Sequence, residues 1–282
     1  MLAIALAFAS SLCWGTADFM GGLQARARPL VTVLLVSQIA ALALAVAFLA
    51  ASADPLPDLG PLALAAGAGL AGCAALAAFY RGLAIGTMSI VAPVSATGAV
   101  VPVLVGVASG ERPGTIQVVG IALAMGGIVL AAREPVEEGA VPKPAVRASI
   151  GLALLAALGF GTFFVLIDSA TEDAGAPWAL LAVRIADVVV LGTVALALRP
   201  ALASGLRDAA PLLVLGSLDF LATALFALAT QEGLLSVVSV VGSLYPAVTV
   251  VLARIVLSER VARSQEVGVA ITLAGVVAIS AG

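Results

Sequence analysis

The sequence predicts an all-α integral membrane protein with ten transmembrane helices arranged as two inverted five-helix repeats. Three observations predict this fold class: the composition, the spacing of the apolar runs and an internal duplication. Hydrophobic residues make up 62% of the 282 residues and charged residues only 10%. A soluble domain of this length could not remove so much apolar surface from water. We therefore expect almost the whole chain to lie within a bilayer.

Composition also limits the partners and cofactors. The net charge is −3 and no basic run occurs, so a nucleic-acid partner is not expected. The chain has no histidine, and its two cysteines, Cys13 and Cys73, lie in apolar segments. Neither a disulfide framework nor a Cys/His metal site is predicted. We expect a monomer without a cofactor, in contact with membrane lipids and a small-molecule substrate.

Ten apolar runs are long enough to cross a bilayer, which takes about 20 helical residues. Turn-forming and charged residues bound these runs at 2–23, 30–51, 61–84, 87–108, 114–132, 149–170, 177–198, 208–231, 233–256 and 263–281. The first run lacks the positive region of a signal peptide, so it is predicted to be a retained helix. The Pro- and charge-rich segment 133–147 is the predicted linker between one repeat at 1–132 and another at 148–282.

The two repeats share residues at a nearly constant separation. WGT at 14–16 matches FGT at 160–162, an offset of 146 residues. Towards the end of each half the offset is 148, and it relates Glu111, Arg112, Gln117 and Gly120 to Glu259, Arg260, Gln265 and Gly268. Charged and amide side chains are rare in this chain, so these matches indicate a duplication and not merely an Ala- and Gly-rich composition.

The number of helices in each repeat sets their relative orientation. Because five is odd, consecutive copies enter the membrane from opposite sides. Nearly all loop cations lie in the linker or near the ends of helices 1, 3, 7 and 9, and cytoplasmic loops carry such an excess. This places the linker in the cytoplasm and both termini outside it, in a bacterial-type inner membrane. Inverted repeats are typical of secondary transporters.

Several motifs carry a family resemblance over the whole chain. They are GER at 110–112, SER at 258–260, LYP at 244–246 and WGT at 14–16. With these motifs the sequence resembles the drug/metabolite transporter superfamily, of the ten-helix EamA type, with YddG-like amino-acid exporters as a candidate subtype. The resemblance implies movement of small metabolites through a central cavity between the repeats.

Prolines interrupt two helices that correspond in the two repeats. Pro93 and Pro102 lie in the fourth predicted run, 87–108, and Pro246 lies in the ninth, 233–256. Proline removes a backbone donor, and free backbone groups at membrane depth are tolerated only against protein or a watery cavity. Matching interruptions therefore indicate a substrate site near the midplane. Ser95 and Ser243 are the candidate hydroxyls there, and a simple packing kink is the alternative for each proline.

Aromatic residues total only 5% of the chain, so their positions are informative. The candidates for a cavity lining are Trp14, Phe79, Tyr80, Phe160, Phe164 and Tyr245. As a group they would suit amino acids or aromatic metabolites. The alternative for each one is a position against lipid or at the membrane interface.

Four ionisable residues inside apolar runs are the remaining candidates. Arg184 and Asp187 share one helix face and form either an internal ion pair or a substrate clamp. Asp219 has no cation near it in the sequence and is the candidate proton carrier, unless it pairs with Arg184 from the neighbouring helix. Asp18 lies nearer the cytoplasmic end of helix 1 and is expected to be hydrated.

Other function classes lack their motifs. The sequence has no GxxxxGK[ST] loop for a nucleotide-driven pump, no histidine for a Ser–His dyad and no clustered aspartate pairs for magnesium. We therefore expect no enzyme but a secondary transporter that exports small metabolites, favouring amino acids, by alternating access. The alternatives are another metabolite class, such as a nucleotide sugar, drug or lipid precursor, or a passive channel.

Overall fold

The computed structural model describes residues 1–52, 54–86, 88–131, 143–201 and 205–257, together with scattered residues between 263 and 278. Every regular element in these ranges is helical. The α-helices are α1 Leu2–Ala27, α2 Leu30–Ser52, α3 Leu59–Ile85, α4 Met88–Ala96, α5 Val100–Ala108, α6 Thr115–Ala131, α7 Lys143–Ala174, α8 Ala176–Leu198, α9 Leu206–Gln231, α10 Leu235–Gly242 and α11 Tyr245–Leu257.

Eight helical segments within the described residues are long and apolar enough to cross a membrane, and Thr115–Gly127 is a shorter apolar helix. The predicted all-α membrane class is confirmed. The tenth predicted run, 263–281, falls largely outside the described residues, and residues 133–142 of the predicted linker lie wholly outside them. α7 begins at Lys143, within the last five residues of the predicted linker. Pro144 falls in its first turn, where the missing N–H would have no helical partner anyway.

Helix bounds repeat between the halves. Adding 146 to Leu30–Ser52 of α2 gives Ala176–Leu198, the bounds of α8. The contacts repeat as well: α3 packs against α7 as α1 packs against α9, and α3 packs against α8 as α2 packs against α9. Exchanging the halves converts each contact into its counterpart. This arrangement fits the predicted two-half architecture.

Both predicted interruptions are present. A 3-10 turn at Thr97–Ala99 separates α4 from α5, and α10 ends at Gly242, three residues before α11 begins. Pro93 lies inside α4, near the turn that follows it. Pro246 is the second residue of α11, where proline suits the start of a helix. Pro102 is the third residue of α5. Each half therefore has a proline in the first turn of the helix that follows its break.

Close packing explains why both copies of the W/F-G-T motif contain a glycine. A Cβ atom on Gly15 would lie 2.5 Å from the backbone oxygen of Tyr245, at the start of α11. A Cβ on Gly161 would lie 2.5 Å from the oxygen of Gly98, in the 3-10 turn. Thr249 Oγ1 reinforces the first approach by donating to the Gly15 oxygen at 3.1 Å. Each half therefore places its motif glycine against the broken helix of the other half.

The glutamate of the GER motif caps a helix of the second half. Glu111 accepts hydrogen bonds from the backbone nitrogens of Leu235, at 2.6 Å, and Ser236, at 3.1 Å. These are the first N–H groups of α10, which have no partner within the helix. The carboxylate also opposes the positive end of the helix dipole. Its predicted counterpart, Glu259, lies outside the described residues.

Candidate functional site

A cavity lies between the two halves and is lined by residues of both. Its empty space is about 570 Å³, with the open solvent at its mouth included. The lining residues come from α1, α2, α3, α7, α8, α9 and α11: Trp14, Asp18, Gln38, Gly69, Gly72, Cys73, Leu76, Phe160, Phe163, Phe164, Val183, Arg184, Asp187, Asp219, Thr223 and Tyr245. Apolar helices thus surround a pocket whose described lining includes one arginine and three aspartates.

Arg184 is the centre of a buried polar network. Its Nη1 atom lies 3.2 Å from Oδ2 of Asp187 and 3.0 Å from Oδ2 of Asp219. Nη1 also donates to Oε1 of Gln38 at 2.7 Å, and Nη2 donates to Oγ1 of Thr223 at 2.7 Å. Such pairing is what a charge inside a bilayer requires, because an unpaired ion there is expensive.

The network changes the interpretation of Asp219. The sequence left two possibilities for this carboxylate, an isolated proton carrier or a partner of Arg184, and the structure shows the pair with Arg184 together with Gln38 Nε2 as a donor at 3.3 Å. Two residues far apart in the sequence therefore supply what the local sequence lacks. Its role as a proton carrier stays a prediction, whereas its structural role in the network is visible in these contacts.

Sequence reasoning missed Gln38, although a signal was present. Gln38 and Arg184 are 146 residues apart, the offset of the first three helices of each repeat. Cys73 and Asp219 have the same separation. The two positions that carry a neutral amide and a thiol in the first half thus carry opposite charges in the second. A polar residue in the middle of an apolar helix, aligned with an arginine, could have identified the partner.

The aromatic candidates form two groups. In one, Phe164 stacks on Phe226 with centroids 4.5 Å apart, and Trp14 lies 5.6 Å from each. In the other, Phe160 lies 6.4 Å from Tyr245. Trp14, Phe160, Phe164 and Tyr245 line the cavity. The walls are therefore rigid aromatic surfaces, which suit amphipathic ligands.

Four candidates lie behind the lining. Phe79 packs against Phe160 with centroids 5.7 Å apart and against Tyr245 at 6.1 Å, and Tyr80 packs beside it. The Ser95 and Tyr245 hydroxyls form a hydrogen bond of 2.9 Å. The hydroxyl of Ser243 is buried between α10 and α11. These side chains support or border the wall of the cavity without lining it.

Asp18, which was expected to be hydrated near the end of its helix, lies inside the bundle. The residue is only 5% exposed and lines the cavity. α1 packs against α9, α10 and α11 of the second half. Helices of the other half therefore surround Asp18, one turn after Trp14.

Comparisons with known proteins agree with this geometry. The model of the EamA-like transporter family matches the chain twice, over residues 1–133 and 147–281. Among curated proteins, none matches the sequence significantly. A solved structure, described as "Crystal structure of protein", superposes with a TM-score of 0.75 and 16% identity, covering 98% of this chain and 95% of its own. That likeness concerns the fold alone. With both halves matched, the chain belongs to the EamA-like transporter family, whose members are membrane transporters of small metabolites.

Proposed function

We propose that the protein is a secondary transporter that exports small metabolites, with amino acids as the favoured class. The cavity carries this proposal, because residues from both halves line it and its walls combine aromatic rings with fixed charges. Such a cavity suits a ligand with an apolar body and ionised groups. A relative movement of the two halves would expose it to either side of the membrane in turn.

The helix interruptions support the same function. Broken helices beside a central cavity are typical of transporters, since their free backbone groups are tolerated where they face protein or water. Here the 3-10 turn after Ala96 and the break after Gly242 occupy corresponding places in the halves. We propose that the halves are inverted repeats, that the chain acts as a monomer in a bacterial-type inner membrane, and that its termini lie outside the cytoplasm.

Reconstituted vesicles test the transport proposal. Vesicles loaded with one unlabelled amino acid should take up the labelled form by counterflow, with a rate that saturates. Protein-free vesicles provide the background. A failure of every amino acid, together with robust transport of a nucleotide sugar, drug or lipid precursor, would replace the substrate class. Flux that neither saturates nor shows counterflow would identify a passive channel instead.

A further inference from the structure

We propose that Asp18 is the cation-recognising side chain of the cavity and that the transported substrate carries an ammonium or other organic cation group. This inference rests on the proposed transport function and names the substrate class of the same cavity. It assigns a role to a residue that the Arg184 network leaves out.

Asp18 is a carboxylate without a partner among the described residues. The residue is 5% exposed and lines the cavity. Within the described part of the chain, no residue pairs with its carboxylate or donates a hydrogen bond to it, whereas Asp187 and Asp219 both contact Arg184. Burying a carboxylate without a partner is costly. A cation in the cavity would supply the missing partner.

Arg184 is poorly placed to bind a substrate carboxylate. Its terminal nitrogens already donate to Gln38 and Thr223 and contact two aspartates. The remaining nitrogen, Nε, makes no hydrogen bond with the described residues but is buried. An incoming carboxylate could therefore bind this nitrogen only after the side chains around it had moved, whereas Asp18 lines the cavity and needs no such rearrangement to meet a cation.

The charge of the lining also favours a cation. The described lining contains one arginine, Arg184, and three aspartates, Asp18, Asp187 and Asp219. Carboxyl groups therefore outnumber the guanidinium. An incoming anion would add to this acidic surrounding, whereas an incoming cation would be attracted by it. Because the surroundings are apolar, these charges interact more strongly than they would in water.

Aromatic rings of the same cavity complete the site. Trp14 precedes Asp18 by four residues on α1, so the two side chains share a helix face. Tyr245 and Phe160 line the same space. Aromatic faces attract organic cations, tryptophan most strongly. At the 146-residue offset, Phe164 of the second half corresponds to Asp18. The repeat therefore places a phenylalanine, and not a second carboxylate, at the equivalent position of α7.

Three ligands with the same ring separate the contributions of the two ionic groups. Phenethylamine carries only the ammonium, 3-phenylpropanoate only the carboxylate, and phenylalanine both. Binding is measured by tryptophan fluorescence in the Trp178→Phe background, in which Trp14 of the cavity is the single tryptophan. We expect saturable binding of phenethylamine, weaker binding of phenylalanine, and none of 3-phenylpropanoate. Equal or tighter binding of 3-phenylpropanoate, or no binding of any of the three, would overturn the assignment.

Variants then test Asp18 itself. Asp18→Asn should weaken phenethylamine binding roughly 10- to 100-fold, the range expected for loss of a charge-assisted contact. Asp173→Asn, at an exposed aspartate of α7, is the matched control and should leave binding unchanged. Asp18→Glu retains the carboxylate and should retain measurable binding. Unchanged affinity in Asp18→Asn would overturn the assignment, and the ligand series decides the matter if that variant does not fold.

Transport is measured separately, so the two proposals fail differently. Phenethylamine binding that depends on Asp18, with no flux of any metabolite, would contradict the transport function and leave the site intact. Saturable phenylalanine counterflow, undiminished in Asp18→Asn and competed by 3-phenylpropanoate, would contradict the cation site and leave transport intact.

Discussion

Arg184 of α8 and Asp219 of α9 form an ion pair of 3.0 Å, with side chains only 5% and 11% exposed. Since Asp187 shares the same arginine nitrogen at 3.2 Å, one guanidinium joins two carboxylates inside the bundle. Gln38 of α2 bonds both to this arginine and to Asp219. The network therefore ties α8 and α9 of the second half to α2 of the first.

Asp219→Asn should lower the stability of the folded protein. The substitution removes one carboxylate from Arg184 but leaves Asp187, so we expect a loss of about 1–3 kcal/mol and not complete unfolding. Thermal unfolding in detergent and gel-filtration yield measure the effect, with Asp173→Asn as the control. If Asp219 instead carries the proton, the variant should lose its dependence on a pH gradient while keeping counterflow at equal pH. Wild-type stability with undiminished proton-driven flux would contradict both roles.

Gly15→Ala and Gly161→Ala should each destabilise the contact between the halves. The added methyl group meets a backbone oxygen at 2.5 Å in both cases, and overpacking of this kind costs about 1–3 kcal/mol. Gly151→Ala is the matched control for Gly161→Ala. Both glycines lie on α7, but a Cβ on Gly151 would meet nothing within 4 Å. Thermal unfolding of the three variants compares them. Equal melting temperatures for Gly161→Ala and Gly151→Ala would show that the close approach has no energetic effect.

Removing the cap from α10 should loosen the start of that helix. Glu111→Ala leaves the backbone nitrogens of Leu235 and Ser236 without their acceptor, at a cost of about 1–2 kcal/mol. Hydrogen exchange, followed by mass spectrometry, should become faster in the peptide that contains these two residues. Glu172→Ala, at an exposed glutamate of α7, serves as the control. Unchanged exchange at residues 235 and 236 would argue that the carboxylate is not needed there.

The predicted topology can be tested with single cysteines. Replacing Cys13 and Cys73 gives a background into which a cysteine is introduced at Asp58, in the loop before α3, or at Glu138. Because the local cations place the linker in the cytoplasm, an impermeant thiol reagent should label position 58 in intact cells and position 138 only after permeabilisation. External labelling of position 138 would reverse the orientation.

The sequence was sufficient to predict most of the described helices, because the length of a membrane-spanning helix follows from the thickness of the bilayer. The first three predicted runs agree with α1, α2 and α3 within four residues at each end. Arg184 and Asp187 could also be paired in advance, since three residues of helix bring them onto one face. Both predictions depend only on the spacing of residues within one helix.

Choosing between contacts of distant helices required the structure. The sequence offered a pair with Arg184 only as one of two possibilities for Asp219, because no residue near it in the sequence is a cation, and the packing of α9 beside α8 brings the two together. Asp18 is buried because α1 packs against helices of the other half. The charge balance of the cavity therefore depends on packing, which a single sequence does not encode locally.

The exchange of contacts between the halves has a consequence for biosynthesis. As α1 and α3 leave the ribosome, the helices they pack against, α9 and α7, have not yet been made. Glu111 likewise awaits an α10 that is more than a hundred residues away. We expect the helices of the first half to remain in the membrane without their packing partners until the second half inserts. The two halves, produced as separate chains, should accumulate only when they are made together.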